Sequence, residues 1–307
     1  MKIYRVAIGI VLCAAHSGAF AQGPLAIERP TDTAGRFTLS TGGEYSTGKY
    51  GATESTDIWS VPIIARYDNG PLTLRVAVPW IWITSPGNVI PSGPGAPIIV
   101  CDQRGGGSGG SGSSGRGEGS SGGSDRGGVE NCVTTTGTTA AQTSRTTQSG
   151  LGDVVASASY IFTDRGLAGF GFGATGLVKF GTADENKGLG TGKTDYALQG
   201  ELWRRMGSFE PYLWVGYRWF GQPAGVTLRN VWYTAVGTDY LADSATTYGL
   251  SFFFRESTVS GGQGLRELTP YLSYAIDRNW KLRAYAVFGF SDASPDWGGG
   301  LFLSYTF

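Results

Sequence analysis

Histidine is almost missing from this 307-residue chain, and the single one is His16. Its position removes even that. Residues 1–21 carry Lys2 and Arg5, an apolar run from Val6 to Ala15 and the small-x-small triplet Ala19-Phe20-Ala21. That is the pattern of a secretory signal peptide, cleaved on export. The mature chain, 22–307, then lacks the side chain most often used as a general base or metal ligand near neutral pH. Cysteine is scarce as well: Cys13 in the leader, Cys101 and Cys132. Leu12 stands where a lipidation signal wants a small residue, so Cys13 is not read as an anchor. Long apolar runs are missing too. Beyond Gln22 nothing approaches the roughly 18–20 apolar residues of a membrane-spanning helix. The leader also takes two of the 24 basic residues and none of the 24 acidic ones, leaving a slightly acidic chain that argues against a nucleic-acid partner.

Glycine (51), tyrosine (15), phenylalanine (15) and tryptophan (9) are plentiful, against 2 methionines. That mixture disfavours helices and suits pleated strands. Period-two alternation predicts twelve strands. The first six cover Arg36–Thr47, Asp57–Tyr67, Leu72–Ile83, Gly152–Phe162, Ala168–Gly181 and Lys193–Arg205. The others cover Pro211–Phe220, Asn230–Tyr240, Thr246–Ser257, Glu267–Asp277, Trp280–Phe290 and Gly298–Phe307. Even-numbered strands are followed by short links such as "DNG" or "DRN", odd-numbered ones by longer stretches rich in Gly, Ser and Thr; the longest is 84–151. A soluble sandwich has no reason to alternate its links this way. A bacterial outer-membrane barrel does, with tight periplasmic turns and long extracellular loops. The expected fold is therefore all-β: a closed antiparallel transmembrane β-barrel of about twelve strands.

The faces agree. Along the fifth strand Phe170, Phe172, Ala174, Val178 and Phe180 oppose glycines, Thr175 and Lys179. The last strand carries Leu301, Leu303, Tyr305 and Phe307 on one side up to its end. Such a stripe is expected to meet outer-membrane lipid, and an outward terminal Phe307 resembles the signature read by barrel-assembly machinery. Aromatics gather near both ends of the apolar face, as in the girdles of membrane barrels.

Motifs for chemistry are weak. "GLGTGKT" (Gly188–Thr194) resembles a phosphate loop, but Lys187 replaces the required glycine and no helix follows. Membrane-barrel enzymes generally rely on histidine. Paired carboxylates such as Asp153 and Glu201 read as lumen charges. No catalytic residues, metal ligands or cofactors are expected. Cys101 and Cys132 flank a Gly/Ser-rich stretch, 105–128, and in an exported chain read most simply as a disulfide at the base of the longest loop.

The inward faces are expected to carry Glu44, Arg66, Arg75, Asp153, Lys179 and Asp195, followed by Glu201, Arg218, Arg255, Glu267, Lys281 and Arg283. Basic residues slightly outnumber acidic ones, which favours anions. These charges read either as a polar pore or as a salt-bridged interior of little conductance.

Two stretches resemble a known family. Tyr45–Val89 contains "YSTGKYG" and a Val-Pro within the third strand; Gly150–Arg204 contains "GLGD" and "GLGTGKTD". They are similar to the outer-membrane barrel transporters associated with meta-pathway phenol degradation. The family often has Pro-Thr-Gly after the fifth strand, where this chain has "KFGTADENKG". The resemblance implies transport more firmly than phenol. The function expected is passive uptake of small solutes, including aromatic or hydrophobic-polar compounds. The alternative is a non-conducting surface barrel that displays a long adhesive or partner-binding loop.

Overall fold

The computed structural model describes residues 35–52, 54–87, 89–91, 98–99, 145–164 and 166–307. Its strands begin with β1 (Arg36–Gly48), β2 (Thr56–Asn69) and β3 (Leu72–Ser85). A short pair follows, β4 (Val89–Ile90) with β5 (Ile98–Ile99). The wall resumes with β6 (Thr146–Leu151), β7 (Val155–Thr163), β8 (Phe170–Lys179), β9 (Asp195–Arg204) and β10 (Phe209–Trp219). It is completed by β11 (Val231–Leu241), β12 (Thr246–Arg255), β13 (Leu265–Ala275), β14 (Trp280–Gly289) and β15 (Trp297–Thr306). Around the wall β1 pairs antiparallel with β2, β2 with β3, β3 with both β6 and β7, and each strand from β7 to β14 with the next, while β1 also pairs with β15, from Thr38↔Thr306 to Thr47↔Trp297. The sheet closes on itself through the β1–β15 pairing as a twelve-strand barrel, so the wall has no free first or last strand.

Twelve positions arise from thirteen strands because β6 and β7 follow one another along β3. Leu151 lies opposite Trp80 and Val155 opposite Ala77, so three residues (152–154) face two, a β-bulge. Pro79 sits at that point and has no N–H to give the ladder; its carbonyl accepts from Gly152 N at 2.9 Å. A side chain at Gly152 would collide with Ile81. The bulge also exchanges the faces: Leu151 points outward, whereas Asp153 and Val155 both point inward.

The two ends differ. At one, connections are short, and two are built around an aspartate. Asp243 Oδ1 accepts from the backbone N–H groups of Ala245 and Thr246, both at 2.7 Å, and Asp277 does the same for Asn279 and Trp280. The Ala245 and Thr246 donors hold the Asp243 carboxyl below the usual carboxylate range. At the other end the connections are longer, the extreme being the stretch between β3 and β6.

The outer face is apolar. Ile63, Val76, Leu198, Val236 and Leu301 are exposed mid-wall. Rings collect at both rims: Tyr45 against Trp59 and Trp297 (centroids 4.8 and 5.2 Å) at the long-loop end, Trp280 against Tyr305 (4.8 Å) and Phe37 against Phe307 (5.7 Å) at the other. Inside, several rings lie back on a glycine of the adjoining strand. Tyr271 covers Gly249 and Tyr233 covers Gly216 so closely that neither glycine has room for a Cβ. Much of the glycine in the wall therefore serves close approach of rings to backbone.

Candidate functional site: the barrel interior

The interior has three layers between the long-loop end and the short-turn end. In the first, register sets Lys179 opposite Asp195 on β9 and beside Val155 on β7. The Lys179 ammonium donates to Asp153 Oδ2 at 2.6 Å, Thr191 Oγ1 at 3.1 Å and the Lys193 carbonyl at 3.0 Å, and lies 3.5 Å from Asp195 Oδ2. Arg218 Nη2 donates to that same oxygen at 2.8 Å. The carboxylates also hold loops: Asp153 Oδ1 accepts from Ala183 N and Asp195 Oδ1 from Gly221 N, both at 3.0 Å. All four charged groups are buried. "GLGTGKT" is thus a loop pinned onto the barrel by Lys179. Further round, Arg255 and Glu267 lie diagonally on β12 and β13, both buried, at the same end.

The second layer is aromatic. Trp214, Tyr233 and Phe253, from three successive strands, have centroids 5.6–6.5 Å apart. On the opposing wall Tyr285 stacks on Phe302 at 6.4 Å, packed with Ile64, Ala77 and Val287.

The third layer is again charged. Arg66 forks onto Asp68 Oδ1 through Nε (2.9 Å) and Nη2 (2.7 Å), and Thr73 donates to that oxygen at 2.6 Å. Arg75 lies opposite Arg66 in register. The Arg283 guanidinium sits 4.5 Å from the centroid of Tyr271. Two tyrosine hydroxyls occupy nearby carboxylates: Tyr285 donates to Glu44 Oε1 at 2.6 Å and Tyr271 to Asp239 Oδ1. Glu201 is buried on β9, and Lys281 is half-buried on β14.

The long connection after β3 turns inward. Val89 packs with Tyr50, Ile58, Ile81, Ile83, Ala183 and Leu189 on one side of the mouth. Its neighbour Ile90 packs on Phe220, Val226, Leu228, Val231 and Val259, which lie at the start of β11 and in the connections just beyond β10 and β12. These strands lie almost across the ring from β3, so Val89–Ile90 bridges the mouth. Burial raises the Tyr50 phenol well above its usual range.

Ten of the twelve charged residues anticipated for the interior are buried there, and Arg75 and Lys281 are half-buried on the same face. The structure brings Asp153, Lys179, Asp195 and Arg218 into one network. It adds Asp68, Glu210 and Asp239, which are also buried and inward. The alternation carried a signal for Asp239, two residues on from Gly237, whereas Asp68 and Glu210 looked like parts of turns. Residues 1–34, the Cys101–Cys132 pair and the Gly/Ser-rich stretch lie outside the described residues. Among the described residues no three His, Cys, Asp or Glu side chains come together as metal ligands.

A closed wall, an apolar belt with two aromatic rims and a charged interior define a bacterial outer-membrane β-barrel. No family model and no curated protein matches the chain in sequence. Solved structures similar to it include a KdgM porin (TM-score 0.47, 11% identity, 88% of this chain and 99% of that one). Others are the CymD monoaromatic hydrocarbon channel (0.41, 8%, 90% and 88%) and the P. putida toluene transporter TodX (0.36, 11%, 88% and 77%). These are likenesses to a kind of barrel; they assign no residue and no solute to this chain.

Proposed function

We propose that the chain is a passive outer-membrane channel for small solutes, and not an enzyme. The observation that carries this is the inversion of polarity across a closed wall. Apolar side chains face outward, while inward faces on every side of the ring hold charged groups. Burying so many charges costs free energy that a purely structural barrel avoids with an apolar filling. A polar interior is what a solute path needs.

In this reading the short turns face the periplasm and the long connections the outside. Val89–Ile90 narrows the outer mouth. Interleaved rings and charges suit compounds with a planar apolar part and a polar group, the class that the resemblance to phenol-pathway transporters also implies. The test is swelling of proteoliposomes in iso-osmotic small solutes. Swelling in small aromatic alcohols and acids, absent for a large oligosaccharide, supports the reading. Vesicles that stay inert to every solute overturn it.

A further inference from the structure

We propose that the third layer is a carboxylate-binding site, built on Arg283 and Arg75 beside the rings of Tyr271 and Tyr285, for organic monoanions that carry an aromatic ring. The inference rests on the channel reading and names its solute class.

It starts from an imbalance in hydrogen bonding. Lys179 and Arg218 donate to aspartates, and Arg66 forks onto Asp68. Arg283 is 97% buried, yet none of its Nε, Nη1 and Nη2 donates to any acceptor among the described residues, and neither does Arg75 Nη2. A buried guanidinium with no acceptor is costly, so such donors in a native fold point to something that satisfies them. Of the carboxylates that act on these arginines, Glu44 accepts from Tyr285 through Oε1 and Asp239 from Tyr271 through Oδ1, and neither accepts from Arg283. The two arginines act in one place: Arg75 lies within electrostatic reach of Arg283, Arg66 and Glu44.

The ligand chemistry follows. A guanidinium presents donors in a planar fork that matches the two oxygens of a carboxylate. Arg283 and Arg75 carry unmet donors that one carboxylate can accept, whereas Glu44 and Asp239 close by repel a second negative charge. The adjoining layer supplies the apolar contact. Along β14 Tyr285 is the next inward residue after Arg283, and Ala77 is the next after Arg75 on β3. A ring joined to a carboxylate therefore meets Tyr285 and Phe302 when its charge reaches the arginines.

The test compares benzoate with its neutral analogue benzyl alcohol, using the full chain refolded in detergent and in vesicles. Equilibrium binding to wild type, R283Q, R75Q and R283K is measured by NMR of the solute. Retention of the heat-modifiable barrel is checked for each. Benzoate should bind more tightly than benzyl alcohol, and R283Q or R75Q should weaken benzoate about tenfold or more. Benzyl alcohol should be unchanged, and R283K, which keeps charge but loses the fork, should fall between. Equal binding of the two solutes, or benzoate binding unaffected in both Gln variants, overturns the site. Vesicle entry separates this from the channel reading. Entry without charge discrimination leaves the channel and sinks the site, whereas arginine-dependent binding without entry leaves the site and sinks the channel.

Discussion

Replacing Lys179 with methionine tests the upper network. The ammonium is fully buried and holds Asp153 at 2.6 Å, Thr191 at 3.1 Å and the Lys193 carbonyl at 3.0 Å. Methionine fills similar volume, so the loss is chiefly electrostatic. Removing one member of a buried ion pair typically costs about 3–5 kcal/mol, since a charge is left uncompensated. Asp195 keeps Arg218 at 2.8 Å and Gly221 N at 3.0 Å, whereas Asp153 keeps Ala183 N at 3.0 Å. One carboxylate is stranded and one is not, which places K179M near the lower end, about 3 kcal/mol. The assay is reversible urea unfolding in lipid vesicles, followed by tryptophan fluorescence. Adding D153N should recover part of the loss, because the stranded charge is gone. The loop after β8 hangs on the same ammonium, so K179M should also expose residues 180–194 to protease. A loss under about 1 kcal/mol, with the loop still protected, refutes the reasoning.

Four further outcomes follow from the same geometry. Gly249→Val drives a side chain into the Tyr271 ring and should destabilise the barrel by about 1–3 kcal/mol, measured by the same unfolding assay. Combined Val89→Gly and Ile90→Gly removes both apolar anchors of the segment across the mouth and should raise single-channel conductance without changing heat modifiability. Protein purified without reductant should show no free thiol if Cys101 and Cys132 are joined, and deletion of Gly105–Gly128 should leave the barrel intact, since loop tips tolerate such changes. Cysteines placed at Ser260 should react with an impermeant reagent on whole cells, and those at Gly70 or Asn279 should not.

The wall was legible because lipid imposes its pattern residue by residue. Alternation in Trp280–Phe290 predicts a strand that the structure ends at Gly289, and Arg36–Thr47 differs from β1 by one residue. Thr146–Leu151 escaped because the bulge at 152–154 changes which parity faces inward, and alternation fails where the face switches. The charges of the interior were legible as a set, while their partners were not. Which charges meet depends on the stagger between strands and on how far each side chain reaches across the lumen. Arg66 finds Asp68 two residues along its own strand face, a local relation, but that aspartate reads as part of the turn "DNG". Among the described residues Arg283 finds a ring and no acceptor, which nothing local announces. The inward course of Val89–Ile90 was equally hidden, because two apolar residues in a long loop carry no periodicity.

Single-channel recording in planar bilayers decides whether this barrel conducts small solutes. Purified protein should give discrete conductance steps, with currents reduced by benzoate in wild type and far less in R283Q. Bilayers in which correctly folded protein stays electrically silent, with V89G/I90G silent too, would contradict it.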